Sequence, residues 1–335
     1  MAQVHRLQNS KNIDNTGFAN NSNVEGGRLT NKDGSTNLRK TGKPFWERIS
    51  MYHTLLRMKS GTFLLCVIMF YTMVNLIFAL IYFGIGVDHL IGAEMDSTIF
   101  HKFMEAFFFS SQTLTTVGYG HVAPNGMLTN AVASIESLTG ILIFALVTGM
   151  MYGRFARPRA YILFSNKMMV APYKGGRGLM FRVATYKNNH LTDVEAIVNV
   201  ALRVVEDGKH VTRFYPLSLE FAKINSLALS WTVVHHIDEN SPLHSFSEAD
   251  MHESKMELIV GIKAFDDHFS NTVQQRTSYT HDELMYGAKF LPMFQRAVSG
   301  NHTILELDKI DAYEVVNLPE LHAHRAHEEN VAVNK

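Results

Sequence analysis

The sequence predicts a two-part chain: two membrane-spanning helices with a re-entrant helix and loop between them, then an all-β sandwich. Three observations carry this reading. Two long apolar runs, 61–83 and about 127–152, lie in the first half of the chain. An aromatic stretch and a glycine-containing segment separate them. Beyond Tyr161 the chain turns to short β-type runs divided by turn residues. The averages conceal this division, since 46% hydrophobic residues, 19% charged residues and a formal net charge of zero would suit an ordinary soluble domain. With no charge bias, nothing points to a nucleic-acid partner. The single cysteine, Cys66, sits inside an apolar run and reads as a small buried residue. Alone it excludes an intramolecular disulfide and a thiolate-built metal site.

Taken in order, residues 1–43 are polar and rich in Asn, Gly, Ser, Thr and Lys, and are expected to be disordered. They contain no apolar core of the kind a signal peptide has. From Pro44 to Lys59, residues Phe45, Ile49, Tyr52, Leu55 and Leu56 recur at helical spacing, opposite Glu47, Arg48, His53 and Arg57. Pro44 suits a first helical position. This amphipathic helix (44–59) is expected in the membrane interface, the alternative being a surface helix on the soluble part.

The run Gly61–Phe83 has no charged residue and is long enough to cross roughly 30 Å of hydrocarbon. The second run contains one ionisable residue, Glu136, which must face protein or water rather than lipid. Arg39, Lys40, Lys43, Arg48, Arg57 and Lys59 precede the first span, and Arg154, Arg157 and Arg159 follow the second. Between the spans Lys102 is the sole Lys or Arg, which places both termini in the cytoplasm. The membrane domain is therefore expected over 60–155.

Residues 156–320 read as the sandwich, and 321–335 as a loose tail. Runs at 178–186, 192–205, 226–237 and 255–265 are separated by Lys174-Gly175-Gly176, Glu206-Asp207-Gly208 and Asp238-Glu239-Asn240-Ser241-Pro242. Val194, Ala196, Val198, Val200, Leu202 and Val204 alternate as in a half-buried strand.

The chemistry lies between the spans, where Phe100–Phe109 suit a short re-entrant helix and Thr115-Thr116-Val117-Gly118-Tyr119-Gly120 follow it. The last five residues, Thr116 to Gly120, resemble the TVGYG selectivity filter known from potassium channels, whose mechanism is taken from that example. Carbonyl oxygens that replace an ion's hydration shell need backbone angles most residues resist, and Gly118 and Gly120 supply that freedom. Val117 and Tyr119 are expected to pack outward, and the Thr116 hydroxyl to add a ligand at the inner end. Irregular backbone at this depth is tolerated where it lines a cavity or lies within protein. One copy walls one side of a pore, so a homotetramer is required.

The likeness extends well beyond the filter. Ser230-Trp231-Thr232-Val233-Val234-His235-His236-Ile237-Asp238-Glu239-Asn240-Ser241-Pro242-Leu243, Arg276-Thr277-Ser278-Tyr279, Asp282-Glu283 and Tyr286-Gly287 are similar to signatures of the prokaryotic inward-rectifier potassium channels. Met151-Tyr152-Gly153-Arg154-Phe155-Ala156-Arg157-Pro158 resembles the family's end of the second span. Over about residues 44–320, the resemblance implies an immunoglobulin-like cytoplasmic domain that continues the pore, a slide helix at 44–59, a bacterial inner-membrane location, K+ as permeant ion and no cofactor. K+ is expected at Thr116, Val117, Gly118 and Tyr119.

Departures from the family pattern are specific. Gln112 stands where eukaryotic members usually carry Glu, and Val122 where they carry Arg, so that salt bridge cannot brace the filter. Glu136 is the candidate substitute. Phe144 aligns with the usually polar or acidic site of polyamine and Mg2+ block, which implies weak rectification from the cavity. Glu206 or Asp207 is left as a source of attraction for blocking cations.

Tyr152 is expected at the inner convergence of the second helices, as a dewetting gate or as an interfacial aromatic. Gly140 is either a hinge of that gate or a packing contact. His268-Phe269-Ser270-Asn271 aligns with a second, cytoplasmic gating loop. Phe144 and Glu136 are expected to line the pore. Arg48, Arg57, Lys59, Arg154, Arg157 and Arg159 are candidates for anionic lipid headgroups, each contributing about 1 kcal/mol near a charged surface, beside the plain reading of positive-inside topology.

Of the 17 histidines, His235-His236 and the terminal His322, His324 and His327 group most closely. Adjacent residues of a strand face opposite sides, and surface or pH-sensing roles account for these groups better than a metal site. Two other functions stand against a potassium channel. A non-selective cation pore is opposed by Tyr119, and a membrane-anchored sensor would carry the filter as a vestige. No nucleophile elbow, P-loop, HExxH or GxGxxG is present to suggest an enzyme.

Overall fold

The computed structural model describes residues 28–39, 41–42, 44, 50–94, 98–156, 158–206, 208–296 and 302–319. Two compact units result, one formed by residues 41–157 and the other by residues 1–40 together with 158–335. Arg48, Arg157, Asp207, His322, His324 and His327 lie outside the described residues.

The first unit is helical. Helix α1 spans Met51–Arg57, where the sequence suggested a helix over 44–59. Ser50 is extended, and its hydroxyl accepts a hydrogen bond from the His53 amide at 3.4 Å, the N-cap arrangement. Residues 45–49 lie outside the described residues. Extended backbone at Met58 and Lys59 separates α1 from α2, Ser60–Ile85. Gly86, at φ +113°, ends α2 in a conformation that disfavours side chains. Helix α3, Ile99–Leu114, starts at the Thr98 cap and continues five residues past the expected Phe109. Helix α4 is Met127–Phe155. Strands β1 (Leu90–Ile91) and β2 (Ala123–Pro124) pair antiparallel and tie the start and end of the inter-span segment together. Both α2 and α4 are long and apolar enough to cross a membrane.

The second unit is a β-sandwich. Its strands are β3 (Ile162–Phe164), β4 (Met168–Tyr173), β5 (Gly176–Thr185), β6 (Leu191–Glu206), β7 (Lys209–Pro216), β8 (Lys223–Ser226), β9 (Ser230–Ile237), β10 (Glu257–Asp266), β11 (Asn271–Thr280) and β12 (Leu284–Tyr286). One sheet runs β11-β10-β6-β7 with β8 also on β6, and the other runs β12-β4-β5-β3 with β9 on β5. Pairing is antiparallel except between β12 and β4. The run expected over 226–237 is interrupted between Ser226 and Ser230, because β8 joins β6 in one sheet and β9 joins β5 in the other. The alternating face of β6 (Val194, Ala196, Val198, Val200, Leu202, Val204) meets Phe181, Val183, Trp231 and Val233 of the opposing sheet in one core. Helix α5, Glu248–Glu253, joins the two layers in sequence and buries Met251 completely. Two short pairings follow among β13 (Ala288–Phe290), β14 (Phe294–Arg296), β15 (Thr303–Leu305) and β16 (Tyr313–Val315), with β13 on β16 and β14 on β15.

The expectation of disorder over 1–43 is corrected for residues 28–39. This segment lies on the β-unit, with Leu29 and Thr30 buried. The Leu29 and Thr30 amides donate to the Glu257 carboxylate at 2.6 and 3.0 Å, and Thr277 donates to the Lys32 carbonyl at 3.0 Å. Arg28 and Lys32 both reach Glu283, at 2.6 and 3.2 Å. A hydrogen-bonding segment of this kind binds through its backbone, so its polar composition does not betray it. Burial pushes the Glu257 carboxyl above its ordinary value despite those two amide donors.

Candidate functional site

The filter segment begins where α3 ends. The Thr115 amide still bonds to the Ser111 carbonyl at 3.1 Å, the Thr116 amide to Thr113 at 3.0 Å, and the Val117 amide to Gln112 at 3.0 Å. The chain then leaves the helix through alternating left-handed residues: Thr116 at φ +58°, Gly118 at +55° and Gly120 at +81°. Alternating the sign of φ lets successive carbonyls share one side, which an extended strand with its two-residue alternation does not. A Cβ on Gly118 or Gly120 would meet no atom within 4 Å of the same chain, so the requirement for glycine there is conformational rather than steric. Thr116 holds a left-handed angle with a β-branched side chain, at a cost of about 1–2 kcal/mol. Val117 and Tyr119 are 52% and 79% exposed, so the subunit itself leaves these apolar side chains without cover.

Behind the filter helix lies a buried polar network. Glu136 of α4 is fully buried and accepts hydrogen bonds from Tyr82 Oη at 2.6 Å and Ser110 Oγ at 2.5 Å. Ser110 also lies 2.6 Å from Asn75 Oδ1, while Asn75 Nδ2 has no partner. One hydroxyl proton cannot serve two acceptors. With the Asn75 amide turned over, Nδ2 donates to Ser110 and Ser110 donates to Glu136, so the one hydroxyl proton serves one acceptor. The network joins α2, α3 and α4 around one carboxylate. Glu136 therefore does not line the pore, because it is enclosed by three helices of its own subunit. Tyr82 and Phe109 pack edge to face at 5.0 Å beside it, and Val122 joins the same apolar cluster.

Gly140 sits one helical turn further along α4. A Cβ there would lie 1.8 Å from the Leu114 carbonyl oxygen. That close approach accounts for the glycine, and the gate position suggested for Gly140 gives way to a packing contact against the end of α3. Phe144 and Tyr152 are each 74% exposed on α4, so neither is used to hold the subunit together.

Among the basic residues, Arg154 is already engaged. Its guanidinium donates to the carbonyls of Leu55 at 2.6 Å and Met58 at 2.8 Å and lies 4.6 Å from the centre of the Phe63 ring. Free carbonyls at a helix C-terminus carry partial negative charge, which a cation stabilises. The lipid-facing role expected for Arg154 is thus replaced by a tie between α4 and the end of α1. Arg57, Lys59 and Arg159 are exposed.

In the β-unit, His268 and Phe269 occupy the tight connection between β10 and β11, where the Asp266 carboxylate accepts from the His268 amide at 3.0 Å. Phe269 is half exposed, and Ser270 takes a left-handed φ of +46°. Glu206 pairs with Arg213, which holds its carboxyl below the ordinary range and consumes its charge. His235 and His236 face opposite sides of β9: His235 is buried, and His236 packs edge to face on Tyr173 at 5.9 Å. Sequence reasoning missed Tyr82, Ser110 and Asn75, since a polar residue on a spanning helix gains meaning only once its partner helix is placed.

Comparison with known proteins covers both units. A family model described as the inward rectifier potassium channel C-terminal domain matches residues 162–331, and one described as ion channel matches residues 62–156. The inward rectifier potassium channel Kirbac3.1 of Paramagnetospirillum magnetotacticum is 32% identical over 280 residues, 83% of this chain and 92% of that protein. The human inward rectifier potassium channel 18 is 32% identical over 205 residues, 58% of this chain and 47% of that protein. The G protein-activated inward rectifier potassium channel 2 of Pongo abelii is 26% identical over 294 residues, 79% of this chain and 67% of that protein.

Proposed function

The chain belongs to the inward-rectifier potassium channel family, and from that premise we propose that it forms a homotetrameric pore conducting K+ passively across a bacterial inner membrane. The observation that carries this reading is the run of left-handed residues at Thr116, Gly118 and Gly120 within a TVGYG segment. Four such segments around an axis would present rings of carbonyl oxygens to a dehydrated K+ ion. The exposed Val117 and Tyr119 side chains supply apolar surface for neighbouring subunits to cover. Closed symmetry is the natural arrangement for such a self-complementary pore.

Control belongs to the inner end. Tyr152 gates by narrowing an apolar constriction until water leaves it, and the loop of His268 and Phe269 provides a second control through motion of the β-domain. Anionic lipid acts through Arg57, Lys59 and Arg159, with Arg48 and Arg157 as further contributors. With Glu206 paired to Arg213 and Phe144 apolar, block by Mg2+ or polyamines is weak. Both termini face the cytoplasm, as the placement of Lys and Arg outside the two spans supports.

The test is K+ flux through the purified protein in liposomes of anionic and of neutral lipid, with Ba2+ as blocker. Ba2+-sensitive flux that favours K+ over Na+ is expected. Silence in both lipids that persists in Tyr152→Ala would instead favour a membrane-anchored sensor.

A further inference from the structure

The β-domain holds a cluster of ligating side chains that the ion pathway does not use. The antiparallel register pairs Glu257 at the start of β10 with Thr280 at the end of β11. Helix α5 leads into β10, and a 3-10 turn, His281–Glu283, follows β11, so the two meet at one end of the sheet. There the rings of His252 and His281 stand 5.1 Å apart at 88°, and Asp282 Oδ1 lies 3.5 Å from His281 Nε2. One ligand atom from each of His252, His281 and Asp282 lies within 4.8 Å of the others.

We propose that His252, His281 and Asp282 bind a divalent transition-metal ion of the zinc class. Two imidazoles and a carboxylate suit such borderline ions, whereas Mg2+ and Ca2+ prefer oxygen ligands throughout. Ligands bound at roughly 2.0–2.2 Å stand roughly 3–3.5 Å from one another, so the present spacing closes by small side-chain rotations. His252 and Asp282 are exposed and free to make them. The backbones that carry the ligands are fixed. Ser247 and Asp250 form a reciprocal cap on α5, Met251 anchors it in the core, and Thr280 and Glu283 cap the 3-10 turn in the same manner. Rigid supports with adjustable tips are what a small metal site needs. The remaining coordination positions are open to water.

The location has a consequence. Asp282 adjoins Glu283, the residue that holds Arg28 and Lys32 of the N-terminal segment. A bound ion stiffens the turn on which that segment is secured.

The test uses the whole 335-residue chain with His322, His324 and His327 changed to Ala, so that these histidines do not compete. Co2+ is the spectroscopic probe and Zn2+ the competitor. One Co2+ per chain with visible ligand-field bands is expected, displaced by Zn2+, together with a rise in unfolding midpoint on adding Zn2+. His252→Gln and His281→Gln should each abolish both signals, and Asp282→Asn should weaken them. The metal-free midpoints of these variants should stay at the parent value, which reports an intact fold. Bands that persist in the His252→Gln/His281→Gln double variant, or parent protein that binds no Co2+, would overturn the assignment.

Discussion

A Cβ on Gly140 of the second spanning helix would sit 1.8 Å from the carbonyl oxygen of Leu114, the last residue of the re-entrant helix. The backbone that leads into the filter thus rests directly on α4. Gly140→Ala must push the two helices apart, at a cost of about 1–3 kcal/mol by the usual scale for overpacking. A lower unfolding midpoint and reduced K+ flux are expected. Gly84→Ala is the control, since a Cβ there meets nothing within 4 Å, and it should leave both unchanged.

Glu136 accepts from Tyr82 and Ser110 in a fully buried position. Glu136→Ala leaves both hydroxyls without their acceptor, at about 1–3 kcal/mol for each buried group left unpaired. Tyr82→Phe removes one donor and should cost less than Glu136→Ala. The comparison is made by thermal unfolding of the purified protein in detergent. Equal midpoints for wild type and Glu136→Ala would show that the carboxylate does not brace the filter helix.

Arg154 donates to the carbonyls of Leu55 and Met58 and so fastens the end of α1. Charge-assisted hydrogen bonds of this kind contribute about 1.5–3 kcal/mol. Arg154→Ala is expected to raise hydrogen exchange across Met51–Arg57 and to change channel activity in neutral and anionic lipid alike. A loss confined to anionic lipid would return Arg154 to the headgroup role.

His235 gives the β-domain an acid limit. The ring lies buried between the Ser218 carbonyl, 2.7 Å from Nδ1, and the Ser241 hydroxyl, 2.7 Å from Nε2. The Leu243 amide already donates to that same hydroxyl oxygen, at 3.1 Å. A neutral ring satisfies this arrangement, with Nδ1–H donating to Ser218 and Nε2 accepting from Ser241. Burial accordingly holds its pKa below the ordinary 6.5. With the folded value depressed, the stabilisation is present above about pH 6.5 and is lost as pH falls through the folded pKa. Unfolding midpoints measured against pH should fall on the acid side of 6.5 in wild type, and this limb should flatten in His235→Gln.

The parts legible in the sequence were those whose signal is local. The two spans follow from apolar length, the filter from a contiguous motif, and β6 from strict alternation between Val194 and Val204. The rest required partners distant along the chain. Glu136 is a lone carboxylate until Tyr82 and Ser110 are placed around it, and this turned an expected pore-lining residue into a brace. Gly140 was equally a hinge or a contact until Leu114 was seen against it. Residues 28–39 dock through backbone amides and carbonyls, which composition does not register, with Leu29 as their buried apolar side chain. His252 and His281 adjoin through the register of β10 and β11, whereas the histidines adjacent in sequence, His235 and His236, point apart.

Whether Thr116 to Gly120 form a selective K+ path is read from the reversal potential under opposed K+ and Na+ gradients. Tyr152→Ala, which trims the proposed gate, is the background for the recording. A reversal potential close to the K+ equilibrium value, shifting toward zero when Tyr119→Ala is added, is the predicted result. A reversal potential near zero with Tyr119 intact would contradict a selective filter.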